Sequence, residues 1–191
     1  MDERRTRRKG RPRRYRLEVD GAYAAIADAE VARYAVALAE LRERAWDQIV
    51  DLPPEAINFV APGTTLSIGW VAAHLAHGEA DWITRVTGTP PPAAVRDHPD
   101  YARFTPYGSV PTEFGPADSL VELGRLVERE ITLPALAGAV GAGGLDRPVP
   151  DQPLETLGEV LAHLLWHWSF HSGHLGLVRL QWGGEYDWTF A

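Results

Sequence analysis

The feature that most constrains this chain is its longest unbroken helical pattern, which opens at Thr156–Glu159 and runs to about Trp182. A Thr followed three residues later by Glu is a capping box, in which the two side chains satisfy free backbone amides at a helix start. Gly183-Gly184 supplies the stop, because glycine tolerates the left-handed conformation that closes a helix. A helix of this length and apolar content must bury its stripe against other helices, so the chain has to provide partners.

Three further helical patterns provide them. From Asp20 to about Leu52, the residues Tyr34, Leu38, Leu41, Ala45, Ile49 and Leu52 recur at three- and four-residue steps and share one face. Pro53-Pro54 ends that helix, since proline lacks an amide hydrogen and clashes with the preceding turn. A second helix is predicted from Thr65 or Ser67, both good N-caps, to Thr87 before Gly88. A third opens with a capping box at Ser119–Glu122 and buries Leu120, Leu123, Val127 and Ile131, with Pro134 kinking or ending it. Residues 88–116 hold seven of the 15 prolines and show no helical periodicity, which suits a functional rim. The aromatics Tyr101, Phe104, Tyr107 and Phe114 within it are expected to pack onto something. "GAGGLDRPVPDQP" (141–153) reads as a loop, and no strand alternation or internal repeat is evident. The predicted fold is therefore all-α: a four-helix bundle with a long Pro-rich connection between helices 2 and 3.

Charge divides the chain. The net charge of −7 conceals a basic segment at residues 1–16, where nine Lys/Arg face two Asp/Glu, and an acidic remainder of ten basic and 24 acidic residues. Residues 1–19 are expected to be a solvated, disordered leader, and residues 20–191 a single domain. The acidic body repels phosphate backbones, so nucleic acid is excluded as a partner except non-specifically through residues 1–16. No apolar run of about 18 residues suggests a membrane span. The basic N-terminus lacks the apolar core of a secretory signal. With no cysteine, disulfides and Cys-ligated zinc are excluded, and the cytoplasm is the expected compartment.

The chemistry lies in "HLLWHWSFHSGH" (163–174), which carries four of the seven histidines. At about 100° per residue, His163, His167, His171 and His174 fall within an arc of about 80°. They lie beside Leu164, Phe170 and Val178, so the ridge is expected to face the bundle interior. Buried imidazoles need partners for their nitrogens, and a metal ion is one. Both His163/His167 and His167/His171 have the four-residue spacing that lets two rings converge on one cation. A third ligand has to come from another helix, and helix 2 offers His74 or His77. His98, in the Pro-rich connection, is expected at the surface. Trp46, Trp70, Trp82, Trp166 and Trp168 are assigned mostly to the core, and Trp182 and Trp188 to a C-terminal strap or subunit contact.

The segments "GWVAAHLAHGEADW" (69–82) and "AHLLWHWSFHSGHLGLVRLQWGG" (162–184) resemble the DinB-like (DinB/YfiT) superfamily, four-helix bundles that hold a divalent metal with three histidines. The resemblance extends over about residues 20–184 and implies His74, His167 and His171 as ligands. It implies no fixed metal, since three imidazoles suit zinc, nickel and iron alike. Where many relatives have glutamine this chain has His174, a candidate fourth ligand, proton carrier or second donor behind the ligands. His163 is read as supporting, and His77 as the substitute should His74 not serve. Glu79 and Asp81 are candidates for an orienting or base role. Some members of the superfamily look like S-transferases that activate a low-molecular-weight thiol, such as mycothiol or bacillithiol, as a metal-bound thiolate. That class of enzyme is the leading expectation, with His174 and Glu79 as catalytic candidates. A metal-dependent hydrolase at the same site and a non-catalytic metal-binding stress-response module are the alternatives. The resemblance also implies a homodimer. The 29-residue connection at 88–116 and the basic leader depart from the family's simplest pattern.

Overall fold

A computed structural model describes residues 7–12, 17–105, 113–138, 143–149 and 154–188. Four long helical elements form an all-α bundle. Helix α1 is Ala29–Asp47 and α2 is Ile68–Thr87. Helix α3 is Ala117–Val127, continued by a wider π turn at Glu128–Thr132 and a last segment at Leu133–Ala137. Helix α4 is Leu157–Trp182. Helix α4 packs on α1 and α2, α2 also packs on α3, and the last segment of α3 returns to α1.

The capping chemistry explains most boundaries. The Thr156 hydroxyl accepts from the Glu159 amide at 3.3 Å while the Glu159 carboxylate accepts from the Thr156 amide at 3.0 Å, so the predicted box is formed. Gly183 stops α4 with φ of 107°, a left-handed conformation that strains any residue with a Cβ. Ser67 caps α2 by accepting from the Trp70 amide, and Gly88 closes it, as read from the sequence. Two boundaries differ. Helix α1 begins at Ala29 rather than near Asp20, because the Asp28 carboxylate takes the Glu30 and Val31 amides and leaves Gly21–Ala25 as a separate 3-10 turn. Helix α3 begins after Pro116, and the Ser119–Glu122 box is not formed. The Ser119 hydroxyl instead donates to Asp100 Oδ2 at 2.5 Å. Nor does Pro134 end α3. The π turn ahead of it shifts the hydrogen-bond register and accommodates the missing amide hydrogen.

The Pro-rich connection is more ordered than its composition suggests. It contains one-turn helices at Ala93–Arg96 and Pro99–Arg103. Fully buried Asp100 pins it by accepting from the Gly115 amide and the Ser119 hydroxyl. Phe104 and Phe114 are buried against the bundle, and Tyr101 is packed on it. Gly69 is required there: a Cβ on it would lie 2.8 Å from the Phe114 Cβ. Tyr107, residues 1–6 and 13–16 of the leader, and parts of the 141–153 loop lie outside the described residues.

One pairing has no precursor in the sequence pattern. Strand β1, Arg7–Lys9, runs parallel to β2, Glu185–Asp187, with Arg8 opposite Tyr186. Arg8 and Tyr186 both reach Asp47 at the end of α1, at 2.5 and 2.6 Å. This part of the leader is thus docked on the domain rather than solvated. Fully buried Arg179 completes the corner, donating to the Gln48 carbonyl and, with two nitrogens, to the Asp51 carboxylate at 2.7 and 2.8 Å. Among the described residues no helix is long and apolar enough to cross a membrane.

Candidate metal centre

The middle of α2 and the middle of α4 face each other through imidazoles. His74 on α2 meets His167 and His171 on α4, and the three ring centroids are 4.7 Å apart in every pairing. The Nε2 atoms of His74 and His167 are 2.8 Å apart, and one candidate ligand nitrogen from each of the three rings lies within 4.8 Å of the others. Four-coordinate zinc, with bonds of about 2.0–2.1 Å, sets its ligand atoms about 3.3 Å apart. The nitrogens straddle that separation, so small ring rotations bring all three onto one cation. The histidines are positioned to bind a metal ion.

The electrostatics keep the rings in the form that ligates. Burial, reinforced by the neighbouring charges of His77 and His174, lowers the pKa of His74 to about 4. Burial and the adjacent imidazoles likewise lower His167 to about 3 and His171 to about 4. A neutral imidazole has a free lone pair, so at neutral pH the cluster is a ready donor set. His167 Nδ1 is buried with no hydrogen-bond partner, a cost that the ring bears in this geometry.

The remaining histidines separate cleanly. His174 Nδ1 lies 3.1 Å from His171 Nδ1, which leaves His171 Nε2 free to face the cluster. His174 therefore stands behind a candidate ligand, one turn from the triangle. His163 is stacked beside His167 at 5.8 Å and packs edge-on against Trp82. His77 is turned away and stacks on Tyr101 with centroids 4.7 Å apart, so the structure does not bring it into the triangle. His98 is half-buried and accepts the Asp100 amide at the start of the Pro99–Arg103 turn.

The wall of the site is aromatic. Trp70 stacks on His74 at 5.1 Å with planes 9° apart, and Phe104 lies over both His74 and His77. Phe170 meets His171 and His174 edge-on. The sequence assigns Trp70 mostly to the core among tryptophans of which some wall a pocket, and its place one helical turn before His74 is the signal that identifies it as such a wall. Phe170 and Trp166 are exposed, contrary to the expectation that they face the interior.

Glu79 has a different place from the one expected. It is fully buried, with Oε1 accepting from Arg42 Nη1 at 2.8 Å and the Thr132 hydroxyl at 2.5 Å, and Oε2 accepting from the Trp168 indole at 2.9 Å. One carboxylate on α2 thereby touches α1, α3 and α4. Burial opposes the charge of Arg42, but the carboxylates of Glu79 and Glu128 outweigh it and hold the guanidinium above its ordinary pKa. The indole contact also fixes the rotation of α4 one residue from His167. Asp81 is on the outer face and pairs with Arg85 one turn on, at 2.9 Å. Neither carboxylate is directed at the three imidazoles by these contacts.

Fold and cluster together define a class: a four-helix bundle with three imidazoles, from its second and fourth helices, arranged for a metal ion. The sequence model of the DinB superfamily matches residues 37–175, a span that includes all three histidines, and the chain belongs to that superfamily. No protein of curated function matches the chain.

Proposed function

We propose that the protein is a metal-dependent enzyme whose divalent cation is held by His74, His167 and His171, and that it transfers a low-molecular-weight thiol to its substrate. The observation that carries this reading is the triangle of three neutral imidazoles, with no carboxylate among the described residues completing it. Three neutral ligands leave coordination positions for an outside molecule, as in catalytic rather than closed structural sites. A zinc, nickel or iron ion bound there supplies Lewis acidity, which favours the deprotonated form of a thiol or of water.

The chain's own residues supply the rest. Trp70 and Phe104 hold the His74 ring in place by stacking and exclude water from one side of it. His174 contacts His171 at Nδ1 and so restrains the orientation of that ring. Glu79 and Trp168 set the register between α2 and α4 from within the core. A hydrolase needs a positioned base for its water, and the expected base, Glu79, is committed to three donors. A thiol that arrives as a cosubstrate brings its own nucleophile, which suits a chain without cysteine.

Elemental analysis of the purified protein tests the ligand assignment. We expect close to one divalent metal per chain, lost in His74→Ala, His167→Ala and His171→Ala and kept in His77→Ala. Cobalt-substituted protein then tests the chemistry. Addition of mycothiol or bacillithiol should produce a thiolate-to-cobalt charge-transfer band in the near ultraviolet. Full metal loading without that band would reject the thiol reading and leave the ligand set standing.

A further inference from the structure

The corner at the end of α1 is shaped by the domain and filled by the basic leader. Glu40, Glu43 and Asp47 lie towards the end of α1 and Asp51 follows it, so carboxylates gather at the negative end of a helix dipole, where cations are favoured. Fully buried Arg179 of α4 holds the corner from behind. It grips both oxygens of Asp51, reaches the Glu185 carbonyl of β2 at 3.3 Å and faces the Tyr186 ring, 5.7 Å from its centroid. These contacts join parts of the domain and do not involve the leader.

Residues 7–11 meet this corner as a peptide ligand would. Besides the pairing of β1 with β2, the Gly10 amide donates to the Asp187 carbonyl at 2.8 Å and the Arg11 amide to Asp47 Oδ2 at 2.9 Å. Main-chain bonds of this kind hold any extended segment, and side-chain pockets decide which one. Three positions discriminate here. Arg8 donates to Asp47 Oδ1 and lies 3.9 Å from Asp51. Gly10 is buried against Tyr186, where a Cβ would come within 2.5 Å of the phenol oxygen. That oxygen cannot easily give way, because it donates to Asp47 at 2.6 Å. Arg11 lies between Glu40 and Glu43, at 3.5 and 3.7 Å. Arg7 and Lys9, alternating with these positions along the strand, are exposed.

We propose that this corner is a peptide-recognition site selective for an extended Arg-x-Gly-Arg segment, and that the leader is its ligand held in cis. A tethered ligand acts at an effective concentration of about millimolar, so a short segment fills the site that a free peptide would fill weakly. A segment of the same pattern on another chain therefore binds when the leader is released. Order as well as charge is read: an arginine-rich segment without glycine in the third place meets the Tyr186 ring.

The test uses the full chain. The Arg8→Ala/Gly10→Ala variant, which should keep the helical circular dichroism of the parent, empties the site of its own leader. A labelled peptide of residues 7–12 should bind it saturably by fluorescence anisotropy. The parent, whose leader competes, should need at least about 10-fold more protein for the same signal. A scrambled peptide of equal composition, and the same peptide with Gly10→Ala, should each bind at least about 10-fold more weakly, as should an Asp47→Asn receptor. A reading that needs no variant comes from hydrogen exchange by NMR. The Gly10 and Arg11 amides of the parent should exchange at least about 10-fold more slowly than those of the free peptide. Amides that exchange at the free-peptide rate, no binding to the folded double variant, or a scrambled peptide that binds as tightly as the native order would each overturn the proposal.

Discussion

Replacing Glu79 with leucine removes a carboxylate on α2 that touches each of the other three helices. Arg42, 3% exposed at its side chain, then keeps Glu128, whose side chain is 21% exposed, as its carboxylate partner among the described residues. The Thr132 hydroxyl and the Trp168 indole each lose their acceptor. Breaking a buried pair by removing one partner costs about 3–5 kcal/mol, because the other charge stays buried without compensation. Taking about 4 kcal/mol, and a shift of about 2–4 °C per kcal/mol for a domain of this size, Tm should fall by about 8–16 °C. Differential scanning calorimetry and urea titration followed by circular dichroism measure the change. The Arg42→Met/Glu79→Leu double variant removes the stranded charge as well, so it should be more stable than Glu79→Leu alone by more than about 1 kcal/mol. Metal content, measured well below the lowered Tm, should stay near that of the parent, because Glu79 points into the core and not at the imidazoles. A Tm within about 2 °C of the parent would refute the idea that this carboxylate ties the bundle together.

Four further outcomes follow from the same geometry. Stripping the metal with a chelator should leave the helical spectrum intact but lower Tm, since a cation at about 1,000 times its Kd adds roughly 4 kcal/mol to the folded state. In the metal-free protein, burial lowers the pKa values of His74, His167 and His171 below that of a free histidine, to about 4, 3 and 4. The unfolded chain therefore takes up more protons, and their stabilising contribution is complete above about pH 6.5 and lost as pH falls through those lowered values. Thermal melts from pH 7 to pH 4 should show that decline, and a His74→Ala/His167→Ala/His171→Ala variant should show a flatter one. Gly124→Ala should be severe, because its Cβ would sit 2.2 Å from Trp46 Cζ2, and overpacking costs typically about 1–3 kcal/mol or more by chemical denaturation. Thr156→Ala, which removes one side of the α4 capping box, should cost about 1 kcal/mol by the same assay.

What could be read locally was read correctly where one turn of chain decides the outcome. The Thr156–Glu159 box, the Ser67 cap and the glycines at 88 and 183 act on backbone groups within three residues, and each sits where the sequence placed it. The pair His167 and His171 was legible for the same reason, since a four-residue spacing puts both on one face without help from the rest of the fold. The Ser119–Glu122 box shows the limit. Asp100, nineteen residues earlier, offers the Ser119 hydroxyl a buried carboxylate, and a stronger distant acceptor outweighs a local cap.

The tertiary structure decided everything that depends on which helices become neighbours. His74 and His77 are three residues apart on the same helix, and only the approach of α4 directs one to the imidazole pair and leaves the other stacked on Tyr101. Glu79 has the sequence appearance of a solvated acid or a catalytic base, yet burial among Arg42, Thr132 and Trp168 makes it a structural anchor. The pairing of Arg7–Lys9 with Glu185–Asp187 joins segments almost the whole chain apart through strands too short to show alternation. Helix ends and same-face spacings are set by bonds within a turn or two, so the sequence by itself determined them. Partners, burial and the direction of a side chain depend on contacts between distant segments, and those exist only once the bundle has closed.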